Sequence, residues 1–190
     1  MTTHTRVPEV LAPAGDLTSL RAALSCGADA VYFGLDGGFN ARARAVNFPR
    51  ETLAETVREV HAAGARAYLT LNTLIFQVEL TEVEAVIRAA ATAGVDALIV
   101  QDPAVAMIAR ALCPAMEVHA STQMTISSPE AAELCRALGI TRVVVPRELS
   151  VADIRAFAAG TDLELEVFIH GALCMSWSGQ CLTSEAWGGR

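Results

Sequence analysis

The chain has 190 residues, 53% apolar and 18% charged, with 14 Lys and Arg against 21 Asp and Glu for a net charge of −7. That composition suits one domain with a sizeable core and excludes a disordered, collagenous or disulfide-stapled chain. No run of 18 apolar residues is present to span a membrane, and the acidic balance speaks against broad non-specific nucleic-acid binding. Residues 1–6 carry no apolar stretch of the secretory kind, so a cytoplasmic setting is expected. In that setting the five cysteines (26, 113, 135, 174 and 181) read as reduced thiols or metal ligands.

Short apolar runs alternate with helix-period stretches from end to end. The strand-like runs are residues 9–13, 30–34, 67–71, 97–101, 117–120, 142–145 and 164–169, and the central ones are nearly continuous in Val, Ile and Leu. Between them lie helices with readable starts. Asp102-Pro103 and Ser128-Pro129 each set a capping side chain before a proline, Thr81-x-x-Glu84 spells a capping box, and Ser150-x-x-Asp153 is its acidic relative. Leu53, Val57 and Val60 form one apolar stripe, and Val83, Val86, Ile87 and Ala90 another. The 35 alanines favour helices packed closely on a flat partner.

A weak internal repeat supports this alternation. Cys26-Gly-Ala-Asp-Ala-Val31, Ala93-Gly-Val-Asp-Ala-Leu98 and Leu138-Gly-Ile-Thr-Arg-Val143 each end a helix at glycine and enter a strand within a few residues. Ala63-Gly64-Ala65-Arg66-Ala67 is a looser copy. The first and seventh strands lie 155 residues apart, about 26 per βα unit. This spacing predicts a (β/α)8 TIM-barrel-like fold that stops after about seven strands, in a single incomplete domain over residues 1–190. An open doubly wound parallel sheet is the alternative.

In either architecture the chemistry belongs at the carboxyl ends of the strands. Those ends read Ala14-Gly15-Asp16, Gly34, Asn72-Thr73, Gln101-Asp102, His119-Ala-Ser121-Thr122-Gln123, Arg147-Glu148 and His170-Gly171. Contact with water accounts for any single polar end, and helix capping for Asp16 and Asp102. The ring as a whole points to a small polar or anionic ligand, with Asn72, Gln101, Gln123, Arg147 and Glu148 as binding groups. Asn40, Arg42 and Arg44, in the connection after the second strand, are suited to clamp a carboxylate or phosphate. His119 and His170, the strand-end histidines, are candidates for acid/base work, metal ligation or a plain hydrogen bond.

Cys174 and Cys181 stand seven apart on a Gly- and Ser-rich segment after the seventh strand, a spacing suited to a soft metal or an iron–sulfur cluster. Cys26, Cys113 and Cys135 read as core or incidental thiols. No hydrolase elbow, phosphate-cradling loop, zinc-protease helix or dinucleotide fingerprint is present.

Several blocks taken together resemble the collagenase-like peptidase U32 family. They are Leu11-Ala-Pro-Ala-Gly-Asp16, Gly27-Ala-Asp-Ala-Val-Tyr-Phe-Gly34, Asn40-Ala-Arg42, Thr70-Leu-Asn-Thr73, Ala97-Leu-Ile-Val-Gln-Asp102, His119-Ala-Ser-Thr-Gln123 and Pro146-Arg-Glu-Leu-Ser150. Glu166-Val-Phe-Ile-His-Gly-Ala-Leu-Cys174 with Ser178-Gly-Gln-Cys181 resembles the family signature, apart from Thr183 where an aliphatic residue is usual.

The resemblance implies more than peptidase activity. Some branches hydroxylate RNA pyrimidines, or ubiquinone precursors without oxygen, and use a cysteine-bound 4Fe–4S cluster. The RNA branches depend on prephenate as hydroxyl source. The blocks here look closest to the branch acting on a ribosomal RNA cytidine, then to the one acting on a transfer RNA wobble uridine. Cys174 and Cys181 match two cluster ligands, and the other two are expected beyond Arg190, so residues 1–190 alone are expected to bind no stable cluster and to aggregate at a free barrel edge. Arg42, Arg44 and Arg147 are suited to prephenate, and His170 to acid/base work beside the cluster. The chain reads first as an RNA-hydroxylation protein, second as a peptidase, third as a non-catalytic protein partner in a heterodimer.

Overall fold

Side chains along the central strands alternate between a helix-facing side and an inward side, as the two-residue strand period requires. The computed structural model describes residues 7–41, 45–171 and 176–181. Its strands are β1 (Leu11–Pro13), β2 (Ala30–Phe33), β3 (Arg66–Leu71), β4 (Ala97–Val100), β5 (Glu117–Ala120), β6 (Arg142–Val144) and β7 (Glu164–Glu166). Between them run α1 (Leu17–Ser25), α2 (Leu53–Ala62), α3 (Leu80–Ala93), α4 (Pro103–Leu112), α5 (Pro129–Ala137) and α6 (Val151–Gly160).

The strands form one sheet in sequence order, every neighbouring pair parallel. A doubly wound sheet reverses its order at a switch point, so sequential order overturns that alternative. The sheet is also curled. Glu9, two residues before β1, accepts a hydrogen bond from Tyr68 of β3 at 2.9 Å and pairs with Arg142 of β6 at 2.7 Å. With strands about 4.8 Å apart, no flat sheet brings its first, third and sixth strands to one carboxylate. The result is a curled half-barrel with its helices outside.

The main core lies between strands and helices. Val31, Phe33, Leu69, Leu98, Val118 and Val143 face outward and join Leu20, Val57, Ile87, Val105, Ala132 and Phe157 of the helices in one buried cluster. The inward side holds a smaller cluster of Ala30, Tyr68, Ala97 and Ile99.

Local signals read in the sequence recur in the structure. Asp102 and Ser128 cap α4 and α5 by accepting backbone N–H bonds, and Ser150 and Asp153 form their reciprocal box on α6. Gly27, Gly64, Gly94 and Gly139 all take left-handed φ of 75° to 84°, which explains the repeat: each stops a helix where only glycine turns without strain.

Three expectations move. β1 starts at Leu11 rather than residue 9, and β7 ends at Glu166, because the chain from Val167 turns out to solvent and Ile169 is 95% exposed. The box at Thr81 is absent: α3 begins at Leu80, and the Glu79 carboxylate accepts the Phe76 N–H at 2.7 Å one turn earlier. Among the described residues no helix is long and apolar enough to cross a membrane.

Candidate functional site

The inward side of the half-barrel is polar in two layers. Toward the amino ends of the strands, Tyr68 is fully buried at the centre of a charged network. Arg142 pairs with Glu9 at 2.7 Å and with Glu164 at 2.8 Å, and Arg66 pairs with Glu117 at 2.7 Å. Both guanidinium groups lie over the Tyr68 ring, 5.2 and 5.6 Å from its centroid, while the His119 ring meets it edge-on at 5.0 Å.

The network sets the charges of its members. Burial works against the Arg142 cation, but its bonds to Glu9 and Glu164 outweigh that and hold it protonated. Glu117 is pulled down to about 2 by hydrogen bonds from His119 and Arg66. Burial lowers the His119 pKa, so the ring is neutral. Its Nε2–H donates to Glu117 at 3.1 Å, and its Nδ1 is buried without a partner.

Toward the carboxyl ends, the network opens into a small recess of about 50 Å³. Thr70, Asn72, Ser121 and Glu166 supply its polar lining, and Tyr32, Ile99, Val144 and Phe168 its apolar walls. Thr70 donates its hydroxyl to the Phe33 carbonyl at 3.0 Å. Ser121 Oγ accepts from Asn72 Nδ2 at 3.1 Å and from the Gln123 N–H at 3.2 Å. Glu166 Oε2 is buried 3.7 Å from Arg142, within ion-pair range but without a hydrogen bond. Burial pushes its pKa up to about 7.

Connections after the strands fold over this mouth and brace one another. Asn40 is buried against Gly34, where a Cβ would come within 2.8 Å of its side chain, and donates to the carbonyls of Leu35 (2.8 Å) and Gly38 (3.3 Å). The next N–H, of Ala41, bonds Asn72 Oδ1 at 2.9 Å. On the other side, Glu148 accepts the Ser178 N–H and hydroxyl, and Thr125 donates to the Ser178 carbonyl at 2.7 Å. This fastens the Ser178–Cys181 segment to the connections after β5 and β6, with Cys181 half-buried at its end.

The expected ligand-binding residues thus divide. Asn72 lines the recess, and Gln101 is buried at the end of β4. Asn40 braces a loop, Gln123 supports Ser121 through its backbone, and Glu148 holds the cysteine segment rather than facing open space. The Arg147 guanidinium lies over the Phe168 ring at 5.8 Å.

His119 was expected at the mouth. It stands instead inside the strand row of Ile99 and Arg142, directed to the amino-end network, because the strand period puts it on the face of Glu117. His170 is exposed after β7, so the two histidines are not brought together. Arg42, Arg44 and Cys174 lie outside the described residues. The sequence reading missed Glu9, Arg66, Tyr68, Arg142, Glu164 and Glu166. Their signal was polar alternation (Arg66-x-Tyr68-x-Thr70-x-Asn72, Glu117-x-His119-x-Ser121, Glu164-x-Glu166) in strands otherwise expected to be apolar on both faces.

Comparison with known proteins fits this geometry. The model of Peptidase family U32 matches residues 15–190. The chain is 43% identical over 190 residues to the 23S rRNA 5-hydroxycytidine C2501 synthase of Escherichia coli, covering all of this chain and 28% of that protein. It is 39% identical over 181 residues to tRNA hydroxylation protein P1 of Bacillus subtilis, covering 95% of this chain and 43% of the relative. The chain therefore spans less than half the length of either. A solved U32 peptidase superposes with a TM-score of 0.72 at 15% identity, covering 85% of this chain and 68% of that structure, and shares its fold.

Proposed function

The chain belongs to the peptidase U32 family, and from that membership we propose that it forms the barrel region of a cytoplasmic protein that hydroxylates a pyrimidine in ribosomal or transfer RNA. The names of the two relatives support the reaction class. The observation that carries it to this chain is the Ser178–Cys181 segment. It is clamped by Glu148 and Thr125 against the β5 connection, whose Ser121 and Thr122 line the recess. The segment that carries the thiol is thereby fastened to the connections after β5 and β6 rather than left on a free loop.

On this reading Cys181 and Cys174 are two of the four thiolates of a 4Fe–4S cluster. A soft thiol donor on a segment fixed through backbone and carboxylate contacts suits such a group. Such a cluster, when bound, would supply electron transfer or substrate activation. The chain's own residues place the substrate: Asn72 and Ser121 shape the recess, and Arg147, with Arg42 and Arg44, offers guanidinium groups for a dicarboxylate such as prephenate.

Deleting the gene and digesting total RNA tests the proposal. Loss of one hydroxylated pyrimidine nucleoside by mass spectrometry is expected. Unchanged nucleosides, with gelatin cleaved by the purified full-length protein, would assign the family's peptidase activity instead.

A further inference from the structure

The recess lies at the carboxyl ends of the strands, beyond the charged network, and its polar groups are only partly used. Ser121, 2% exposed, already accepts two N–H bonds, from Asn72 and from Gln123. A hydroxyl with both lone pairs engaged keeps its proton to donate, and the remaining open side is the recess. Thr70 is the converse: its proton goes to the Phe33 carbonyl, leaving lone pairs to accept. Glu166 lines the same space without a hydrogen bond to its buried Oε2. The walls beside these groups are Tyr32, Ile99 and Phe168.

We propose that this recess is the socket for an unstacked pyrimidine base, with the Ser121 hydroxyl donating to a ring carbonyl and the Glu166 carboxyl reading the neighbouring amine or imide edge. The assignment rests on the RNA reading above and names the residues that grip its substrate. Apolar walls with a few convergent donors and acceptors are what an extruded base needs for stacking and edge recognition. A dicarboxylate suits the space poorly, because the described lining carries no cation and the Arg142 guanidinium behind it is already paired with Glu9 and Glu164. An ionised Glu166 accepts from the exocyclic amine of cytosine, and a protonated one donates to the O4 of uracil. Its near-neutral pKa makes both forms available at working pH.

The test uses the full-length protein and two short single-stranded RNAs, identical except that one carries the target pyrimidine and the other an abasic site there. Wild type is expected to bind the pyrimidine strand about tenfold more tightly, the scale of two hydrogen bonds and one stacked base. Glu166→Ala and Ser121→Ala should each lose most of that preference while binding the abasic strand as wild type does. Circular dichroism confirms that both variants fold. Full preference retained in both variants would overturn the socket and leave the RNA reading standing. Equal, weak binding of both strands by wild type would remove the RNA reading as well. Displacement of the pyrimidine strand by prephenate, abolished in Ser121→Ala, would overturn the proposal by giving the recess to the dicarboxylate.

Discussion

Glu148, in the connection after β6, accepts both the backbone N–H and the hydroxyl of Ser178, three residues before Cys181. Bonds to an ionised carboxylate are worth about 1.5–3 kcal/mol each, so this side chain is the larger part of the clamp that Thr125 completes. In Glu148→Ala, amide exchange across residues 176–181 should accelerate at least about tenfold while the strands keep wild-type protection. Unchanged exchange would show that the segment is fixed by something else.

Gly179 supports the same clamp from the backbone. Its φ is +77°, and a Cβ there would run into the Gln123 carbonyl oxygen and the Thr125 hydroxyl. Gly179→Ala therefore strains the turn and pushes the segment off the β5 connection. Limited proteolysis should cut the variant near residues 176–181 at a protease level that leaves wild type intact, with a thermal midpoint close to wild type.

The amino-end network predicts a different phenotype. Arg142 is 7% exposed and supplies the positive charge that Glu9 and Glu164 face. Removing this buried guanidinium takes from the part-exposed Glu9 and Glu164 their hydrogen-bonded cation. Arg142→Met should lower unfolding free energy by about 2 kcal/mol in urea melts at pH 7. A loss under about 0.5 kcal/mol would mean the cluster is solvated like a surface pair.

These contrasts show why the barrel was more legible than its interior. The glycine stops at 27, 64, 94 and 139 and the caps at Asp102, Ser128 and Ser150 are local, each resolved within a few residues of chain. Strand order follows from them once the βα spacing repeats. The inward network is not local: Glu9 and Arg142 are 133 residues apart, and their meeting depends on how far the sheet curls. His119 illustrates the cost of reading by position along the strand alone. It lies near the end of β5, yet its face is shared with Glu117, and that pairing turns it toward the amino end. Glu148 was misread for a related reason. Its partner lies on a segment 30 residues later that no pattern joins to it.

Glu166 gives the structure a pH signature. Burial raises its pKa from 4.5 to about 7, so the folded chain holds this proton more tightly than the unfolded one. That contribution is complete below pH 4.5 and is lost as pH rises through 7. Arg142 and Glu9 face it from β6 and from the segment before β1, and both are unchanged in Glu166→Gln. His119 runs the other way, because burial lowers its pKa: its contribution is present above pH 6.5 and falls as the solution is acidified. Glu117, held down to about 2, contributes above pH 4.5 and loses it toward pH 2. Both act equally in wild type and variant. The stability of Glu166→Gln relative to wild type should therefore rise by about 3 kcal/mol between pH 4 and pH 8 in urea melts. A difference independent of pH would contradict the buried setting of this carboxyl.

If Cys181 holds part of the cluster, RNA hydroxylation depends on this clamped cysteine. Nucleoside mass spectrometry of ribosomal and transfer RNA, from a deletion strain complemented with wild type or Cys181→Ser, tests that link most directly. Wild type should restore the missing hydroxylated pyrimidine, and Cys181→Ser, expressed at the same level, should leave it absent. Full restoration by Cys181→Ser would contradict the account.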